Sequence, residues 1–97
     1  PATFSWADIG NWESLYDYLA YHDNQGNALN RTSRRLLKES SDNIVYSTRD
    51  DKLLAVRGLE DFIVIDTDDV LMICPRDEEK LKEFLLQLAL PEYEEYR

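Results

Sequence analysis

Apolar and polar positions change rhythm twice along this 97-residue chain, dividing it into a helical start, a strand-rich middle and a helical end. Over 11–21, Trp12, Leu15, Tyr16 and Leu19 recur at the i, i+3, i+4, i+7 spacing of one buried helix face, with Asn11 as the N-cap. Asp23-Asn24-Gln25-Gly26-Asn27 then reads as a turn in which Gly26 is free to take a positive φ. From there to about residue 74, short apolar runs alternate with polar turns: Leu36-Leu37 (the weakest), Ile44-Val45-Tyr46, Leu53-Leu54-Ala55-Val56, Phe62-Ile63-Val64-Ile65 and Val70-Leu71-Met72-Ile73. Such evenly spaced short strands predict a β-roll, a sandwich or a β-solenoid. Their unbroken apolar runs predict strands covered on both faces, or a small tightly wound core. Residues 77–90 return to helical spacing, with Asp77 as cap, Glu78 and Glu79 against the helix dipole, Leu81, Phe84, Leu85 and Leu88 on one face, and Pro91 as the stop.

Composition narrows the function classes. An apolar fraction of 43% in 97 residues supports one domain, or a piece of one, with a real core. The net charge of −9 argues against a nucleic-acid partner, which would need clustered Lys and Arg. The one basic cluster, Arg31 to Lys38, reads as a solvated face or a local anion contact. Cys74 and His22 are each the sole residue of their type, so no intrachain disulfide, Cys-based zinc site or His-pair metal site is available. His22, at the edge of a polar turn, reads as a surface residue. A lone cysteine, no apolar run long enough to span a bilayer and no signal peptide lead to the expectation of a cytoplasmic protein with no membrane contact. Pro1 stands where a start methionine would be, and Met72 is the only methionine, so we expect a piece of a longer or processed chain.

Two acidic segments invite a metal. Asp66-Thr67-Asp68-Asp69 lacks the glycine and closing glutamate of an EF-hand loop and reads as a solvated turn. In Phe4-Ser5-Trp6-Ala7-Asp8-Ile9-Gly10-Asn11-Trp12, one carboxylate sits between two large rings, beside a glycine that permits close backbone approach. The segment suits holding a cation near a phosphate, and equally a structural corner closed by a tryptophan. The tail Glu92-Tyr93-Glu94-Glu95-Tyr96-Arg97 is acidic and aromatic.

Ser5-Trp6-Ala7-Asp8-Ile9-Gly10-Asn11-Trp12 resembles the W-x-D-[VI]-G-x-W segment of mannose-1-phosphate guanylyltransferases. The resemblance continues through Asp23, Gly26-Asn27 and Asn43-Ile44-Val45-Tyr46-Ser47. It is strongest in Leu54 to Thr67, which is similar to the family's V-x-G-L-x-D-x-x-V-[VI]-D-T run, followed by D-x-[LV]-L at Asp69-Val70-Leu71-Met72. It covers most of residues 4–74. The resemblance implies a parent enzyme that converts GTP and mannose 1-phosphate to GDP-mannose and pyrophosphate. It implies a mainly β fold with flanking helices: residues 1–24 end a nucleotidyltransferase domain, and 25–97 form a left-handed parallel β-helix-like C-terminal domain with a terminal helix near 77–90. It makes Asp8 a ligand of the catalytic Mg2+, with Trp6 and Gly10 shaping the loop that presents it. It also implies the parent's own N-terminal catalytic domain as a partner, and a homodimer. The family's G-x-G-x-R-x-x-P-L loop, its phosphate-binding basic residue and its other metal aspartate are not in this sequence, so the piece alone is expected to be inactive. The alternatives carried alongside are a non-catalytic β-rich interaction or assembly module, and a transferase for another sugar phosphate and nucleotide.

Overall fold

The computed structural model describes residues 19, 21–30, 34–49 and 51–96. Their strands, in chain order, are β1 (Tyr21–His22), β2 (Ala28–Leu29), β3 (Arg34–Lys38), β4 (Ile44–Ser47), β5 (Leu53–Arg57), β6 (Phe62–Asp66) and β7 (Leu71–Pro75), followed by helix α1 (Glu78–Leu88). A five-stranded sheet runs β1-β2-β4-β6-β7, and a two-stranded sheet pairs β3 with β5.

The central pairings β2–β4, β4–β6 and β3–β5 are all parallel. Ile44 lies beside Ile63, and Arg34 beside Leu53, so a displacement of 19 positions relates β4 to β6 and β3 to β5, while Ala28 beside Ile44 makes the first coil shorter, at 16. This is a β-helix: the chain visits one sheet, turns a corner, visits the other and returns one strand further along. Antiparallel hairpins close the five-stranded sheet at its two ends, β1–β2 and β6–β7.

The corners explain where the backbone turns left-handed. Glu39 (φ 50°) and Gly58 (φ 75°) occupy equivalent places in successive coils, as do Gly26 (φ 83°), Asp42 (φ 59°) and Asp61 (φ 60°). These are all the described residues with left-handed backbone. Glycine and aspartate tolerate that region better than most side chains.

The middle of the five-stranded sheet is covered on both faces, as the unbroken runs of β4 and β6 predicted, whereas β5 and β7 each leave one face open at Leu53 and at Leu71 and Ile73. On one face Leu19, Ala28, Ile44, Ile63, Ile65, Met72, Cys74 and Leu81 form a buried cluster, with Leu85 and Leu88 of α1 packed against it. On the other face Leu29, Val45 and Val64 meet Leu37, Leu54 and Leu59 inside the coil. The layers are therefore two-stranded sheet, five-stranded sheet and α1. The Asp77 carboxylate caps α1 by accepting from the Lys80 backbone N–H at 3.1 Å, as the sequence predicted.

The helix expected over 11–21 lies outside the described residues except at its end. There Leu19 is buried in the core, and Tyr21 already belongs to β1, drawn into the sheet by its pairing with Leu29 across the 23–27 turn. No described helix is long and apolar enough to cross a membrane.

Candidate functional site

Trp6, Asp8 and Gly10, the residues on which the sequence placed metal and loop roles, lie outside the described residues. The remaining candidates resolve into structural roles and one unusual surface.

Polar side chains line one inner corner of the coil as a ladder. Asn43 donates from its backbone N–H and from Nδ2 to Asn27 Oδ1, both at 2.9 Å. Asn43 Nδ2 also donates to the Leu59 carbonyl at 2.8 Å, and Asn43 Oδ1 accepts the Phe62 N–H at 2.8 Å. Asn27 Nδ2 donates to the Ser40 carbonyl and to Asp23 Oδ2, each at 2.9 Å. Both asparagines are fully buried, and each bonds the coil above or below it. Burial pushes the Asp23 carboxyl up, but bonds from the Asn27 side chain and from the Asn27 and Gln25 N–H groups outweigh it and hold Asp23 below its ordinary value.

At the far ends of the same strands, Asn30 Nδ2 donates to the Ser47 carbonyl at 2.6 Å, and Ser47 Oγ donates to Asp66 Oδ2 at 3.0 Å. Lys52 Nζ reaches Asp66 Oδ1 at 3.2 Å, so this buried carboxylate is fully engaged in joining coils. The sequence reading missed both ladders, because it placed Asn27 and Asp66 in polar turns. The available signal was the recurrence of a polar residue immediately before an apolar pair in consecutive coils.

The acidic turn at 66–69 closes on itself: the Thr67 hydroxyl accepts from the Val70 N–H at 3.1 Å. Among the described residues, no group of three or more His, Cys, Asp or Glu side chains could hold a metal ion. Cys74 is buried, and desolvation pushes its thiol pKa up, away from the reactive thiolate. His22 is exposed, beside a shallow cavity of about 260 Å³ that it lines with Asp23, Leu29, Arg35 and Leu37. None of these groups forms a nucleophile–base pair or a phosphate cradle.

The unusual surface is the outward face of the two-stranded sheet. Leu37 and Leu54 turn inward, so strand alternation turns Arg34, Leu36 and Lys38 of β3 and Leu53, Ala55 and Arg57 of β5 outward. Leu36 is 53% and Leu53 57% exposed. The basic cluster of the sequence and two strand leucines thus share one solvent-facing surface, which suits docking rather than chemistry.

The chain matches known proteins along most of its length. The model of the family described as the MannoseP isomerase/GMP-like β-helix domain matches residues 34–88. The mannose-1-phosphate guanylyltransferase of Escherichia coli is 33% identical over 96 residues, which is 95% of this chain and 19% of that protein. The xanthan biosynthesis protein XanB of Xanthomonas campestris pv. campestris (strain B100) is 34% identical over 89 residues, 91% of this chain and 18% of that protein. The chain therefore spans under a fifth of the length of these curated relatives. A solved structure from Thermus thermophilus, described as a mannose-1-phosphate geranyltransferase, superposes with a TM-score of 0.64 at 23% identity, over 86% of this chain and 24% of that one. That likeness is one of fold.

Proposed function

This chain belongs to the MannoseP isomerase/GMP-like β-helix domain family, and from that membership we propose that it is the C-terminal portion of a mannose-1-phosphate guanylyltransferase. The observation carrying this reading is a one-third identity to the Escherichia coli guanylyltransferase that runs through 95% of the chain. In the parent, a mannose 1-phosphate oxygen attacks the α-phosphorus of GTP. The new P–O bond gives GDP-mannose, and cleavage of the α–β bridge releases pyrophosphate.

The described residues contribute structure rather than chemistry to that reaction. The β-helix packs on the catalytic domain, on the side where Leu19 enters its core, and on a second subunit. Asp8 is a ligand of Mg2+, with Trp6 and Gly10 shaping its loop. When bound, the ion supplies neutralisation of the phosphate oxygens. The family's other metal aspartate is not in this sequence, so the remaining ligands come from the catalytic domain.

The test is pyrophosphate release from GTP and mannose 1-phosphate by the parent protein, by its Asp8→Ala variant and by this chain alone. We expect turnover from the parent only, with Asp8→Ala retaining the parent's circular dichroism and melting midpoint. Turnover by Asp8→Ala would remove the metal role. Turnover by the parent with another nucleotide or sugar phosphate, and not with this pair, would replace the substrate assignment.

A further inference from the structure

We propose that the outward face of the β3–β5 sheet docks the acidic C-terminal end of a second copy of this chain. The proposal rests on the second-subunit reading above and specifies which two surfaces meet.

The first surface has an apolar centre and a cationic rim. Leu36 and Ala55 are neighbours across the strand pair, Leu53 lies beside them, and Arg34, Lys38 and Arg57 surround them. Arg57 is paired with Glu39 at 2.7 Å, between side chains that are both mostly exposed. No acidic residue lies within β3 or β5, although the whole chain carries −9. Exposed leucines grouped on one sheet face are uncommon on a free surface and mark contact sites.

The second surface has the opposite charge and the same apolar character. Leu86 on α1, Leu90 in the turn after it and Tyr93 in the short 3-10 stretch Pro91–Tyr96 are 71%, 44% and 39% exposed. Glu83 precedes them on α1, and Glu92 stands beside Tyr93; both are exposed. Glu83, Leu86, Leu90, Glu92 and Tyr93 thus make an exposed acidic and apolar segment, where the sheet is a basic, apolar platform. Apolar contact at the centre with complementary charge around it is the general anatomy of a specific interface.

The layer order sets the geometry. The platform lies on the far side of the five-stranded sheet from α1, so Glu83 and Leu86 of α1 cannot reach the platform of their own copy. The contact joins unlike surfaces, and such contacts build rings where the rotation closes and open stacks where it does not.

Charge reversal tests this. Arg34→Glu with Lys38→Glu makes an acidic platform, and Glu83→Lys with Glu92→Lys makes a basic segment. All four positions are exposed, so melting midpoints should stay near wild type. By light scattering coupled to size exclusion, the wild-type mass should rise with concentration, and less so in 0.5 M salt, taken as roughly a high-screening condition. Each variant alone should associate at least ~10-fold more weakly, as expected for several reversed rim charges. An equimolar mixture of the two variants should associate as strongly as wild type, since each segment then meets a platform of opposite charge.

A wild-type chain that stays monomeric at ~0.5 mM, a concentration that reveals contacts of millimolar affinity, would overturn the proposal. So would variants that associate as wild type, or a mixture that fails to recover. The pyrophosphate assay of the parent is read separately, so failure of the guanylyltransferase reading and failure of this contact give different results.

Discussion

Asn43 holds more of this molecule together than its size suggests. Its amide bridges three coils, meeting Asn27 on one side and Leu59 and Phe62 on the other, with no exposure to solvent. Asn43→Ala leaves the Phe62 N–H and the Asn27 and Leu59 oxygens without those partners, at about 1–3 kcal/mol for each buried group left unpaired. We expect a fall of about 2–4 kcal/mol in unfolding free energy from urea titration, a large share of a small domain's margin of about 5–15 kcal/mol. Gly58 acts through backbone alone: its φ is 75°, and nothing lies within 4 Å of where a Cβ would stand. Gly58→Val should therefore lower stability by about 1–2 kcal/mol through left-handed strain, while Gly58→Asn stays close to wild type. Equal melting midpoints for valine and glycine would contradict this.

Asp23 sets part of the acid response. Its folded pKa lies below the ordinary 3.8, so its share of stability is present above that value and is lost as pH falls through the lower folded value. Asp23→Asn should lose stability at pH 7 and little at pH 2, which paired urea titrations at those two pH values would reveal. At this scale the sequence disclosed the turn glycines, because φ > 0 has a recognisable residue preference. It concealed the asparagine ladder, because a polar residue before a strand looks the same whether its amide faces water or the next coil.

At the level of elements, β4, β6 and α1 were legible for physical reasons. An unbroken run such as Phe62-Ile63-Val64-Ile65 has no polar face to give water, and the fold covers both of its sides. Asp77 and Pro91 bracket α1 with opposite chemistries, a side-chain acceptor and a residue that cannot donate. β3 was harder to read, since three of its five residues, Arg34, Arg35 and Lys38, are cations that obscure the inward Leu37. β7 shows the limit of the apolar signal. Ile73 pairs with Val64, yet is 51% exposed because the two-stranded sheet stops short of it.

The joint between α1 and the sheet is measurable through the single cysteine. Leu81 is fully buried in the same cluster as Cys74. Leu81→Ala should cost about 2–5 kcal/mol and speed the labelling of Cys74 by a thiol reagent, whereas Leu81→Met should change both little. Unaltered labelling in the alanine variant would mean that α1 does not shield Cys74.

For the whole molecule, the family resemblance was legible because its motifs sit at the corners and strand starts that a coil demands, as in Gly58-Leu59-Glu60-Asp61-Phe62. Pairings between coils were not, since they join residues far apart in sequence and depend on where the chain turns. The charge layout was half visible: the basic cluster and the acidic tail stood out, but only the layer order puts them on opposite sides.

The shift of 19 positions from β4 to β6 and from β3 to β5 has a practical meaning. Residues 39–57 contain one corner, β4 and β5, which pair in parallel with strands of the adjoining coils: β4 with β2 and β6, and β5 with β3. The segment is an interchangeable part. A chain carrying 39–57 twice would present two copies of Asn43 in line, and would carry its closing hairpin and α1 forward by one strand spacing, ~4.8 Å. Length in this protein is counted in turns of a spring, and an engineer could use it as a molecular shim.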